Sequence, residues 1–211
     1  KDRRHQAAFL SGLAAQTAPY RQAAALLQTM IEDPETESSI LAQAIQASWR
    51  IPSSSTRTVI EGLERLKSLD AEIYASTWTT VRDPKSVGLH RDELLQTIAD
   101  DAANAPRALA MLLAIASTPG GRKPAPAEVD ETLQNLWETP QGQSLWLEGL
   151  RLAQDPKWET KIWQLTGSSD QDLAQAASEL AKQMKLQPLI PAEGPSVKDL
   201  GVAEVMKQLG E

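Results

Sequence analysis

The chain has no cysteine, one phenylalanine and two tyrosines. Without cysteine, these 211 residues hold no disulfide, no thiol nucleophile, no thiolate zinc site and no covalent c-type haem attachment. Histidine is almost as scarce. His5 and His90 are the only two, and neither has a second histidine three or four positions on, so no metal-ligand pair forms on one helix. Both are read as surface residues. Long apolar runs are missing too: the longest, Ala108 to Ala116, falls well short of the roughly 20 residues of a membrane span and reads as a buried helix. Clustered positive charge is limited to Lys1-Arg3-Arg4 and Arg122-Lys123, both short, within a formal net charge of −7 and a pI near 5.0. That balance argues against nucleic acid as the main partner, because phosphate binding needs clustered Lys and Arg.

What is present is helix. Alanine and leucine carry most of the apolar surface, Ala, Leu, Gln, Glu and Lys favour helix, and Val, Ile, Phe and Tyr are sparse. Amphipathic stretches follow one another along the chain. Ile40, Leu41, Ala44, Ile45 and Trp49 form one stripe, Val59, Leu63 and Leu66 the next, and Leu109, Leu112, Leu113 and Ala116 another. The clearest runs from Ser169 to Met184, with Leu173, Ala176, Ala177, Leu180 and Met184 on one face. Between Ala71 and Val81 the reading stays open, because the Thr-rich end is compatible with helix or extended chain. Three prolines and two glycines fall within residues 118–126, the most pronounced loop. Lys185 to Ser196 is Pro-rich, and Val202, Val205, Met206 and Leu209 suggest a short terminal helix.

Helix pairs spaced by roughly 30 to 40 residues fit the range of HEAT-like repeats. The expected fold is therefore all-α, an array of helix pairs forming a HEAT/armadillo-like α-solenoid. A generic α-bundle is the alternative. Residues 1–186 form the helical repeat domain, with a long loop at 118–126, and 187–211 form a connector and short helix. The segment Gly167-Ser168-Ser169-Asp170-Gln171-Asp172-Leu173-Ala174-Gln175-Ala176-Ala177 resembles the start of the second helix of a HEAT repeat.

Motifs of catalysis are wanting. His90-Arg91-Asp92 echoes a kinase catalytic-loop tripeptide, but Thr97 stands where an asparagine should fall, and no Gly-rich loop or strand lysine accompanies it. A helix start, with Asp92 and Glu93 at its positive end, explains these residues better. Asp100-Asp101 and Glu128/Glu131 read as solvated carboxylates rather than acid/base pairs. There is no G-x-S-x-G, Walker loop or dinucleotide fingerprint. No residue is singled out for catalysis, cofactor binding or metal binding. The six tryptophans are more informative: Trp49, Trp78, Trp137, Trp146, Trp158 and Trp163. Trp137 and Trp146 lie on apolar stripes and read as core. Trp158 and Trp163, on different edges of one helix, are the candidate partner surface, because tryptophan is enriched at interface hot spots.

The stretch Glu193-Gly194-Pro195-Ser196-Val197-Lys198-Asp199-Leu200-Gly201-Val202-Ala203-Glu204-Val205-Met206-Lys207-Gln208-Leu209 resembles a connector in large secreted proteins of planctomycete-type bacteria. In that family a sugar-dehydrogenase-like β-propeller is followed by HEAT-like repeats and then a c-type cytochrome domain. The resemblance implies a helical segment between dehydrogenase and cytochrome, in the periplasm or outside the cell. The chain's beginning, Lys-Asp-Arg-Arg without Met, fits a cut fragment or mature piece. Because Cys-x-x-Cys-His is absent, the resemblance carries over no haem ligand or catalytic residue. The expected function is thus a non-catalytic scaffold or spacer that contacts a protein or the adjacent domains of its own polypeptide. A free-standing helical adaptor unrelated to redox chemistry and an all-α enzyme with an unrecognised site are the alternatives.

Overall fold

The computed structural model describes residues 3–14, 22–51, 55–117 and 126–187. Among them there are twelve α-helices and no strand. The loop expected at 118–126 lies outside the described residues except for its last position. The Pro-rich connector and terminal helix expected within 187–211 lie outside them beyond Gln187. The chain divides into two compact units, Lys1–Trp158 and Glu159–Glu211.

The first unit carries α1 (Arg3–Ala14), α2 (Gln22–Glu32), α3 (Ser38–Trp49), α4 (Thr56–Leu69), α5 (Ala71–Val81), α6 (Pro84–Leu89), α7 (Arg91–Asp100), α8 (Ala105–Leu112), α9 (Ala127–Trp137) and α10 (Pro140–Ala153). Most helices pack on neighbours one or two places along the chain: α2 on α3 and α4, α3 on α4 and α5, α7 on α8, and α8 and α9 on α10. The second unit holds α11 (Glu159–Thr166) packed on α12 (Gln171–Gln183).

The helix starts are set by side chains that satisfy otherwise orphaned N–H groups. Asp70 accepts from the backbone N–H of Glu72 and Ile73, both at 3.0 Å, and serves as the single-residue hinge between α4 and α5. Asp83 with Pro84, and Thr139 with Pro140, repeat the device, each placing a proline where a missing N–H costs nothing. Asp170 caps α12 through Asp172 and Leu173. At the other end of α12, Lys185 takes a left-handed φ of 55°, with its N–H donating to Lys182 and that of Leu186 to Ala181, a Schellman closure.

The expected stripes are the core. Ile40, Leu41, Ala44, Ile45 and Trp49 are buried, as are Val59, Leu63 and Leu66, and Leu109 through Leu113. Each fully buried Leu contributes about 1.5–3 kcal/mol relative to exposure, as an upper bound. With few large aromatics, helices approach closely where side chains shrink. A Cβ on Gly149 would meet Leu109 at 2.9 Å, and one on Gly142 would collide with the Leu136 carbonyl, so glycine fixes the α8/α10 and α9/α10 contacts. Ala71 to Val81, open between helix and strand in sequence, is helical: the Asp70 cap starts it and Thr77, Trp78 and Val81 give it a buried face.

Candidate functional site

Three sequence expectations change once the side chains are placed. Trp158 belongs to a one-turn 3-10 segment, Pro156–Trp158, and not to the helix of Trp163. It is 2% exposed and packs edge-on against Trp146 at 5.5 Å, which packs edge-on against Trp137 at the same distance. Trp146 also donates its indole N–H to the Leu133 carbonyl at 3.0 Å. Trp158 is therefore a core residue and offers no docking face. Trp163 is half-buried on α11, and its indole N–H reaches the carboxylate of Glu159 one turn back at 3.4 Å.

The third correction concerns His90, expected on the surface and found 1% exposed. It sits between α6 and α7, and its ring stacks on Trp49 with centroids 3.9 Å apart. Nε2 lies 2.7 Å from the Trp49 carbonyl, which can only accept, so this nitrogen carries a proton. Nδ1 faces the Glu93 carboxylate at 3.7 Å. Glu93 in turn accepts from the hydroxyl of Thr56 at 2.6 Å and from its backbone N–H at 3.3 Å, tying α7 to the first residue of α4. Asp92 and Glu93 do occupy the first turn of α7, the helix start read from sequence.

The other ionisable candidates are placed as solvated or capping groups. Asp101 accepts from the Asn104 amide at 2.8 Å, which pulls its pKa below the usual carboxylate value. Glu128 is exposed and reaches Arg91 at 3.9 Å, and Glu131 is exposed. Among the described residues no group of three His, Asp or Glu is disposed to hold a metal ion, and no helix is long and apolar enough to cross a membrane.

A cluster that sequence reasoning missed lies where α4, α5, α8 and α10 meet. Trp78 of α5 donates its indole N–H to the Leu152 carbonyl at 3.1 Å. Arg82, just after α5, donates Nε to Ala110 at 3.1 Å and Nη1 to Ala153 at 2.7 Å. Its Nη2 stands 3.9 Å from Asp155, and the guanidinium carbon lies 5.5 Å from the centre of the Trp78 ring. Burial lowers the pKa of Arg82, with Asp155 opposing the shift, yet an arginine keeps its charge. Arg107, 3% exposed, approaches the same ring at 5.9 Å and pairs with Glu64. Tyr74, one turn before Trp78, stacks on it at 6.2 Å, and its phenol pKa is raised, chiefly by burial.

No family model, curated protein or solved structure matches this chain. The reading of function therefore rests on the geometry itself. In that geometry, Trp78, Arg82 and His90 are turned toward backbone carbonyls. Arg65 follows the same rule, donating to Met30 at 3.0 Å and also to Asp33, so that α4 holds the end of α2. The last carbonyls of a helix have no intrahelical partner, and a cation aimed at them satisfies both the hydrogen bond and the negative helix end.

Proposed function

We propose that this chain is a non-catalytic helical scaffold, a HEAT/armadillo-like solenoid that holds a protein partner or adjacent domains of its own polypeptide. The observation that supports this reading is the set of cross-links from Arg65, Arg82, Trp78 and His90 to carbonyls at or near the ends of helices 28 to 74 residues away in sequence. Such ties hold successive helices at fixed angles, which suits a spacer. They also leave those cations and the imidazole engaged in architecture. The resemblance of residues 193–209 to a connector gives the scaffold its setting: the helical segment of a secreted, haem-containing oxidoreductase. Trp163, half-buried on α11, is the one member of the expected tryptophan pair that keeps a place in a partner surface.

Cross-linking mass spectrometry on the intact native polypeptide tests the proposal. A scaffold gives reproducible cross-links from this chain's lysines to a neighbouring domain or to one stoichiometric partner, and the reading frame continues into Cys-x-x-Cys-His if the redox setting is right. Cross-links that stay entirely within the chain would contradict the scaffold reading. A stop codon soon after Glu211 would remove the redox setting and leave an adaptor.

A further inference from the structure

Beside the Trp78 cluster lies a cavity of about 340 Å³, open to solvent, lined by Lys67, Tyr74, Trp78, Arg82, Arg151 and Gln154 among others. Three of these are cations and no acidic residue lines the cavity, although the chain as a whole carries −7. The cations differ in how far they are engaged. Arg82 is committed to two carbonyls and to Asp155. Asp155 is shared with Lys157 at 3.6 Å, so its charge is already met. Lys67 and Arg151 are exposed, and among the described residues neither is paired with a carboxylate; Lys67 only overhangs the Tyr74 ring at 6.0 Å. Each sits in the last turn of its helix, where a basic side chain complements the helix dipole, but that role does not require the two to converge on one cavity.

The ligand class follows from the walls. Tyr74, half-buried, offers the apolar surface, with the 8%-exposed Trp78 stacked behind it. The helix end that meets the cavity is the C-terminus of α10, whose carbonyls at Leu152 and Ala153 are already taken by Trp78 and Arg82. A phosphate site is ordinarily built from backbone N–H groups at a helix N-terminus, and that feature is absent from the lining residues of α10. The volume is at the small end of ligand sites, enough for one or two side chains.

We propose that this cavity binds an acidic segment of a protein partner, with a carboxylate between Lys67 and Arg151 and the neighbouring apolar side chain against Tyr74. This rests on the scaffold reading and gives it a docking point. Arg82 positions the wall and does not itself hold the ligand.

The test uses the full chain, isotope-labelled for amide NMR, titrated with a short synthetic peptide alternating glutamate and leucine. A glutamine–leucine peptide and inorganic phosphate serve as comparisons. The expected result is shifts confined to the neighbourhood of Lys67, to Tyr74–Arg82 and to Arg151–Gln154, weakened by salt. The double variant Lys67→Glu/Arg151→Glu raises Kd about tenfold or more, with a small fall in melting temperature from two acidic residues at helix C-termini. Lys67→Gln/Arg151→Gln gives an intermediate loss. The proposal is overturned if the glutamine peptide binds as well, if shifts fall elsewhere, if charge reversal leaves Kd unchanged, or if phosphate binds as tightly as the peptide. Cross-links to a neighbour that persist in the charge-reversed variant would sink the cavity and spare the scaffold. Loss of every neighbour in the native chain would sink the scaffold itself.

Discussion

Two tryptophan-centred junctions in the first unit use one device and come to different ends. At the α3/α7 corner, His90 lies on Trp49 and donates to that tryptophan's own carbonyl; both residues are 1% exposed. At the α5/α10 corner, Arg82 lies over Trp78 and donates to the carbonyls of Ala110 and Ala153, but a cavity stays open alongside. In each a polar group rides on an indole face and closes a carbonyl that lacks a helical partner. The first corner is sealed, with His90 Nε2 committed to the carbonyl while the Trp49 indole N–H and His90 Nδ1 make no hydrogen bond. The second keeps a permanent charge beside solvent and gathers Lys67 and Arg151, which among the described residues pair with no carboxylate. A structural tie becomes a candidate binding site when charge is left over and space remains.

Removing the sealed corner should cost most. Trp49→Ala deletes a fully buried indole and is expected to destabilise by about 3–5 kcal/mol in chemical unfolding. Arg82→Met keeps the bulk of the side chain but strands two carbonyls, with an expected loss of about 2–4 kcal/mol; Arg82→Lys should recover only part of it. His90→Leu removes one donor from the Trp49 carbonyl and should cost about 1–3 kcal/mol. If His90→Leu proves costlier than Arg82→Met, the order of these two polar ties is reversed.

A smaller effect of opposite sign is expected at Gln154, which closes α10 with a φ of 45°. Gln154→Gly relieves a left-handed residue and should stabilise by up to about 1 kcal/mol, measured by the same unfolding curves. The smallest effect is a titration. Burial raises the Tyr74 phenol above its ordinary value near 10, against the opposing pull of Arg107 and Arg82. The unfolded chain then loses its phenolic proton first. Stability from this group is complete below the unfolded pKa and falls as pH rises toward the folded one. In a Tyr20→Phe background, where Tyr74 is the sole tyrosine, ultraviolet titration should find it ionising above free tyrosine. Ionisation at the ordinary value would mean that the wall of the cavity is wetter than described.

Much of the helical framework was legible in the residues. The stripe from Ile40 to Trp49 is buried as its spacing implied, and so are Leu173, Ala177 and Leu180 of the Ser169–Met184 stripe. The segment from Ala71 to Val81 was ambiguous because Thr77, Thr79 and Thr80 suit strand, and only the tertiary position of Trp78 and Val81 decides it. His90 was misjudged because it falls between two short helices, where no periodicity reports burial. Trp158 was misjudged because Asp155-Pro156 starts a 3-10 turn, which swings the indole onto Trp146 instead of continuing α11. The cavity was not legible at all. Arg151 is far in sequence from Lys67 and Trp78, and a lone basic residue in the last turn of a helix looks like any solvated cap.

The most direct measurement compares Arg82→Met with Lys67→Gln/Arg151→Gln in parallel, recording the unfolding midpoint and the affinity for the glutamate–leucine peptide. The account predicts a clear separation. Arg82→Met loses stability, while the double variant melts like the native chain and loses the peptide. An Arg82→Met protein as stable as the native chain, or a double variant that binds as before, would contradict the division between structural tie and docking charge.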